Sequence, residues 1–131
     1  LGNVLRSLAN RIKRRGLIVI ISDLFDDVDD IVHALNHFAH KKHEVIVIQV
    51  LDRKEATFPF RDMTRFESLE GDAVELTDPI RLRREYIEQF NAHQKRVRAA
   101  CHGLRIDFLQ IFTDEPIERT LAKYLVSRLR R

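Results

Sequence analysis

The hydrophobic positions of the chain fall into two kinds of run. Three runs of strand length are rich in β-branched and other large apolar residues, at residues 17–22, 44–50 and 105–111. The first contains five consecutive large aliphatic residues, which suits a strand buried on both faces of a sheet. Between and around these runs, apolar residues recur every three or four positions, as in amphipathic helices. The pattern predicts an α/β fold.

Helices are predicted over residues 3–14, 27–41, 79–102 and 115–130. Asp26 or Asp27 is placed to cap the second helix, and Gly103 is a natural residue to follow the third. A small hairpin is predicted over residues 64–77, turning at Gly71. The predicted inward-facing residues are Val4, Leu5, Leu8 and Ile12 in the first helix, Val28, Ile31, Val32, Leu35, Phe38 and Ala39 in the second, Ile80, Ile87, Phe90, Val97 and Cys101 in the third, and Ile117, Leu121, Tyr124, Leu125 and Leu129 in the last.

Strands joined by helices pair in parallel, because each connection must cross over the sheet. The predicted architecture is therefore a three-layer sandwich with a parallel, Rossmann-like sheet of three strands plus the hairpin. Three strands make a thin sheet for this architecture, and Leu1 stands at the start of a helix. We therefore expect residues 1–131 to be the C-terminal part of a single longer domain.

Composition narrows the class of protein. The chain has 131 residues, 44% hydrophobic and 33% charged, with a net charge of +3. These values fit one globular domain and do not favour specific nucleic-acid binding. No run approaches the ~20 apolar residues of a membrane span. A single cysteine, Cys101, excludes an internal disulfide framework and favours a reducing, cytoplasmic location.

Candidate chemistry lies where the first strand ends. Ser22, Asp23, Asp26 and Asp27 follow the aliphatic run, and parallel sheets bind ligands beyond the carboxyl ends of their strands. An acidic rim suits a divalent cation or a cationic partner. We interpret Ser22, Asp23 and Asp26 as the partner-facing surface of a non-enzymatic interaction domain. The alternative is a Mg²⁺-dependent phosphotransferase or nuclease that uses Asp23, Asp26 and Asp27, with a cation available at Arg53.

Other candidate groups favour simpler interpretations. His33, His37 and His40 share one helix face at a spacing that could grip Zn²⁺, but we expect that face to be solvated. Asp29 and Asp30 suit the start of a helix, since the glycine and final glutamate of an EF-hand are absent. Cys101 lies on an apolar stripe and is predicted to be a core residue. The arginines of residues 79–102 and 128–131 suit solvated helix faces.

Several segments together resemble a known family. Residues 15–24, Arg-Gly-Leu-Ile-Val-Ile-Ile-Ser-Asp-Leu, look like the fourth-strand segment of a von Willebrand A-like domain. With residues 43–52, Phe-Pro-Phe at 58–60, the turn at 65–71 and Thr-Asp-Pro at 77–79, they resemble the C-terminal half of domain-of-unknown-function family 58. The order and spacing of these segments, over residues 14–128, carry the resemblance.

The resemblance implies a von Willebrand A-like fold, no established enzymatic activity, and work with MoxR-type AAA+ ATPases in the assembly or maturation of protein complexes. It also implies that Asp23 matches one ligand of a metal-ion-dependent adhesion site. The Asp-x-Ser-x-Ser element of that site does not occur in the chain. We therefore expect no cofactor here and Mg²⁺ only in an intact protein. The missing first strand would leave residues 17–21 as a sheet edge, which predicts a homodimer.

Overall fold

The computed structural model describes residues 1–54 and 79–130 of the chain. The predicted hairpin at 64–77 and the family segments at 58–60 and 65–71 lie outside the described residues. Within them, every predicted strand and helix is present. The elements are α1 (Gly2–Arg11), β1 (Leu17–Ser22), α2 (Val28–His40), β2 (Glu44–Leu51), α3 (Pro79–Gly103), β3 (Asp107–Phe112) and α4 (Ile117–Leu129).

The strands form one parallel sheet in the order β1-β2-β3. The predicted parallel sheet is thus confirmed, with β2 in its centre. In-register pairing places Val19 of β1 beside Ile46 of β2, and Ile21 beside Ile48, so these side chains share one face of the sheet. Among the described helices, none is long and apolar enough to cross a bilayer.

Helices cover both faces of the sheet, which confirms the three layers. On one face, α1, α2 and α3 bury Leu35, Phe38, Val47, Val97 and Cys101 in the larger core. On the other face, α4 packs Leu121 and Tyr124 against a smaller core. That smaller core consists of Ile46, Ile48, Leu109 and Ile111.

Helix α2 begins as its sequence predicts. The Asp27 side chain accepts hydrogen bonds from the backbone amides of Asp29, at 2.8 Å, and Asp30, at 3.4 Å. These two amides belong to the first turn and have no partner inside the helix. Asp29 and Asp30 then place negative charge at the positive end of the helix dipole. The apolar side of α2 is buried as expected, at Val28, Ile31, Leu35 and Phe38.

The prediction that β1 is buried on both faces was wrong. Ile20 is buried under the helices, whereas Leu17, Val19 and Ile21 are exposed on the opposite face. The physical reason is the position of α4, which packs on the residues of β2 and β3 that form the smaller core.

The predicted inner faces of the helices were also partly wrong. In α4, Leu121 and Tyr124 pack inward, whereas Ile117, Leu125 and Leu129 are exposed. In α1, Ala9 is buried although it was not predicted to be, whereas Val4 and Leu8 are exposed. The helix ends at Arg11, three residues before its predicted end, because the backbone of Ile12 is extended and its side chain packs on the core. The exposed members of the predicted stripes are Val4, Leu8, Ile80, Ile117, Leu125 and Leu129.

Two helices are each followed by a basic residue whose backbone is in the left-handed conformation. Lys42 after α2 has φ 62° and Arg105 after α3 has φ 57°. The amide of the next residue reaches back in each case, from His43 to the Phe38 carbonyl and from Ile106 to the Cys101 carbonyl. These are the bonds of a Schellman motif, and Gly103, predicted to follow the helix, is still inside it. Basic side chains at helix C-termini favour this arrangement through the dipole.

Cys101 is a core residue, as predicted. It is fully buried, and burial raises the pKa of its thiol from 9.0 to about 11. We expect a negligible reaction with an aromatic disulfide reagent at pH 8, and a complete reaction once the chain is unfolded in denaturant. Because the unfolded thiol ionises first, stability should fall as the pH rises above about 9. Rapid reaction of the native protein would contradict this placement.

Candidate functional site

The loop that joins β1 to α2, residues 23–27, lies at the carboxyl end of the parallel sheet. Each of its acidic side chains accepts a backbone hydrogen bond. Asp23 accepts from the Phe25 amide at 3.0 Å, Asp26 from the Asp27 amide at 2.9 Å, and Asp27 caps α2. Ser22 likewise accepts from the Leu24 amide at 3.1 Å. The acidic run is therefore a hydrogen-bonded turn that holds its own backbone.

Asp26 also ties the loop to α1. Its second oxygen lies 2.7 Å from the Leu1 amino group and 3.2 Å from the Gly2 amide. The amino group, followed by the two backbone amides, lowers the pKa of Asp26 from 3.8 to about 2. The carboxylate is therefore fully ionised at neutral pH.

The predicted metal and enzyme residues do not assemble into a cation site in the part of the chain that the structure describes. No three His, Cys, Asp or Glu side chains come together there. An adhesion-type Mg²⁺ site also uses Ser and Thr oxygens, and its Asp-x-Ser-x-Ser element does not occur in the sequence. Arg53, the cation of the enzyme alternative, pairs with Asp114 at 2.7 Å and Glu115 at 2.5 Å and lies over the Phe112 ring.

The loop backbone is strained and firmly held. Leu24 has φ 59°, a conformation that costs a non-glycine residue roughly 1–2 kcal/mol. Its side chain is buried in the core, and its carbonyl lies 2.9 Å from Nε2 of His93 in α3. Since a carbonyl only accepts, Nε2 carries the proton. Burial, and then the charge of Arg96, lower the pKa of His93, which favours the neutral form of the ring.

Two glutamines of the sheet, Gln49 and Gln110, form a hydrogen-bonded row that contacts the same loop. Ser22, Gln49 and Gln110 are in register across the three strands, on the face that α3 covers. Gln49 is fully buried and donates to the Asp23 carbonyl at 3.1 Å. Gln110 of β3 donates in turn to the Gln49 side-chain oxygen at 3.3 Å. The carbonyls of two successive loop residues are therefore fixed by β2 and α3.

An aromatic cluster stands beside this rigid loop. Phe25 meets Phe90 edge to face with ring centroids 6.3 Å apart, and Tyr86 stacks on Phe90 at 6.2 Å. Phe25 remains 46% exposed at the surface. A shallow cavity of about 490 Å³ opens between these rings, Asp26 and His93. The rim thus presents apolar rings next to negative charge.

The remaining candidates lie elsewhere. His33 and His40 are exposed and His37 is half-buried on the outer side of α2, as predicted. Several arginines of the predicted solvated faces form structural contacts, such as Arg96 with Asp29 at 2.7 Å and Arg128 with Glu44 at 3.0 Å. Arg128 also donates to the Tyr124 hydroxyl.

Sequence reasoning missed the glutamine row, His93 and the aromatic cluster. A signal existed for the glutamines, because Gln49 and Gln110 interrupt otherwise apolar strands just before their carboxyl ends. A polar residue at an inward strand position needs a buried partner, which points to a network near the loop. His93 and Phe25 carried no such signal, since their contact depends on how α3 crosses the sheet.

The chain resembles known proteins over most of its length. It is 28% identical over 119 residues to Uncharacterized protein Rv1480 of Mycobacterium tuberculosis and to Uncharacterized protein Mb1516 of Mycobacterium bovis. The match covers 90% of this chain and 37% of each relative, so the chain spans just over a third of their length. No solved structure gives a significant match. Residues 1–96 match the family described as protein of unknown function DUF58, and the chain belongs to that family.

Proposed function

We propose that the chain is a non-enzymatic protein-interaction domain whose partner surface is the rim of the β1–α2 loop. The resemblance to domain-of-unknown-function family 58, to which the chain belongs, supports a partner of the MoxR-type AAA+ ATPase class, in the assembly or maturation of protein complexes. Ser22, Asp23 and Asp26 form the polar part of that surface, and Phe25 with its aromatic neighbours forms the apolar part. The protein would act in the cytoplasm.

The exposed Phe25 beside a rigid acidic turn is the observation that carries this proposal. Aromatic residues surrounded by polar groups are typical of the energetic centres of protein interfaces. Rigidity matters because binding then costs little further ordering of the backbone. The loop meets this condition, since the carbonyls of Asp23 and Leu24 and the side chains around them are already hydrogen-bonded.

The charge of the rim favours a basic partner surface. Asp23 and Asp27 are exposed carboxylates at this rim, whereas the charge of Asp26 is offset by the Leu1 amino group. Negative charge around an apolar centre speeds encounter with a positive surface and fixes its orientation. We therefore expect affinity to decline as the salt concentration rises.

We expect Phe25→Ser to weaken binding to the MoxR-type ATPase of the same organism by about tenfold or more. The change removes an exposed ring and leaves the turn intact, because Asp23 contacts the Phe25 backbone and not its side chain. Binding is measured by biolayer interferometry with purified proteins. Val126→Ser is the matched control, since Val126 of α4 is 48% exposed and Phe25 46%.

Equal losses in the two variants would show that the rim is not the contact surface. Failure of the parent chain to bind the ATPase at any salt concentration would remove the ATPase as partner. If the Phe25→Ser variant and the Asp23→Asn variant both bind the ATPase as tightly as the parent chain does, the whole proposal for this rim is overturned.

A further inference from the structure

A second polar feature lies in the cleft between α3 and the carboxyl ends of β2 and β3. The cavity has a volume of about 450 Å³. Two of the described residues that line it, Lys95 and Arg98, are cationic, and none of them is acidic. Its apolar floor consists of Leu51, Phe90 and Phe112, and its polar wall includes Gln94, Lys95 and Arg98.

Gln94 is the unusual residue of this cleft. It is 93% buried, yet its Nε2 has no hydrogen-bond partner. The surrounding hydrogen bonds determine which atom of the Gln94 side-chain amide is the oxygen and which is the nitrogen. Arg98 donates to the side-chain oxygen of Gln110 at 2.8 Å, so the Gln110 nitrogen must point the other way, 3.4 Å from Oε1 of Gln94. The Gln94 amide nitrogen is therefore left as an unsatisfied buried donor, which is costly unless a ligand completes it.

We propose that this cleft binds an oxyanion, a carboxylate or phosphate, carried on an apolar body. Three side chains with hydrogen-bond donors line it: Gln94, Lys95 and Arg98. Arg98 presents five N–H donors and gives one nitrogen to Gln110, which leaves it able to bind an oxyanion. Among the described residues, Lys95 has no acidic partner, and the ring of Phe90 or Phe112 supports the apolar body of the ligand.

Binding is tested by NMR on the full chain labelled with ¹⁵N. The probes are N-acetylphenylalanine, phenyl phosphate and the neutral N-acetylphenylalaninamide. We expect saturable shifts of the Gln94 side-chain amide with at least one anion and none with the neutral compound. Response to the carboxylate alone assigns the site to acidic or C-terminal groups, and response to the phosphate alone assigns it to phosphate esters.

Variants separate binding from folding. Gln94→Leu removes the unsatisfied donor, so we expect an unchanged or higher thermal midpoint together with about tenfold weaker binding. Lys95→Gln changes an exposed side chain and should also weaken binding. Lys123→Gln, an exposed lysine on α4, is the charge-matched control and should leave binding unchanged.

Three results would overturn the proposal: no shift with either anion, equal binding of the neutral compound, or parent-like binding by Lys95→Gln. If Gln94→Leu does not fold, the comparison of Lys95→Gln with Lys123→Gln decides the question alone.

Discussion

Replacing Phe38 with alanine should lower the free energy of unfolding by about 3–5 kcal/mol. Phe38 is fully buried in the larger core, where its ring meets the His43 ring edge to face at 6.1 Å. The substitution loses the free energy gained by moving a large apolar side chain out of water. It also leaves a cavity that α2 cannot close. Most domains are stable by only about 5–15 kcal/mol, so the variant should be partly unfolded near body temperature.

Urea denaturation followed by circular dichroism measures the change. Leu129→Ala is the control, because Leu129 is 85% exposed on α4 and its loss should change stability by about 0.5 kcal/mol or less. A similar midpoint for both variants would mean that α2 does not form the centre of the core.

Prediction from sequence succeeded where local signals and packing agree. In α2, a capping aspartate, an acidic first turn and a regular apolar stripe all indicate the same helix, and the structure has it at residues 28–40. β2 succeeded for a similar reason, since a central strand is covered on both faces and its run is nearly continuous. The acidic residues that follow β1 lie beyond the carboxyl ends of the strands, as the sequence predicts.

Prediction failed where burial depends on a neighbouring element. Leu17, Val19 and Ile21 have the same side chains as buried strand residues, and only the position of α4 leaves them exposed. The local contacts of acidic residues also become visible only in the fold: Asp26 and Asp27 accept hydrogen bonds from amides of the turn and of the first turn of α2. The oxyanion cleft was missed because Gln94 and Arg98 meet Gln110 only after the chain has folded.

The exposed face of β1 should make this chain self-associate. β1 is the outer strand of the described sheet, and the exposed row of Leu17, Val19 and Ile21 contains none of the lysines or prolines that usually protect such edges. We expect a two-fold dimer in which β1 pairs with its copy in antiparallel fashion. Centred on Val19, that register places Leu17 opposite Ile21 and Arg15 opposite Asp23. The apolar row then continues across the interface and ends in an ion pair on each side.

Val19→Lys should therefore raise the dissociation constant of the dimer by about a hundredfold, because it places two ammonium groups together on the symmetry axis. Light scattering over a concentration series measures the mass. Val126→Lys introduces the same charge at a residue that is 48% exposed, against 47% for Val19, and should leave association unchanged.

The ion pairs give a second, independent test of the register. Arg15→Glu places a negative charge opposite Asp23 and should weaken association several-fold, more strongly at low salt. Arg14→Glu makes the same change in net charge one residue away, where the register places Leu24 opposite, and should have little effect. Equal effects of the two variants would contradict this register while leaving strand addition possible. A parent chain that stays monomeric at high concentration would refute strand addition through β1, the outer strand of the described sheet.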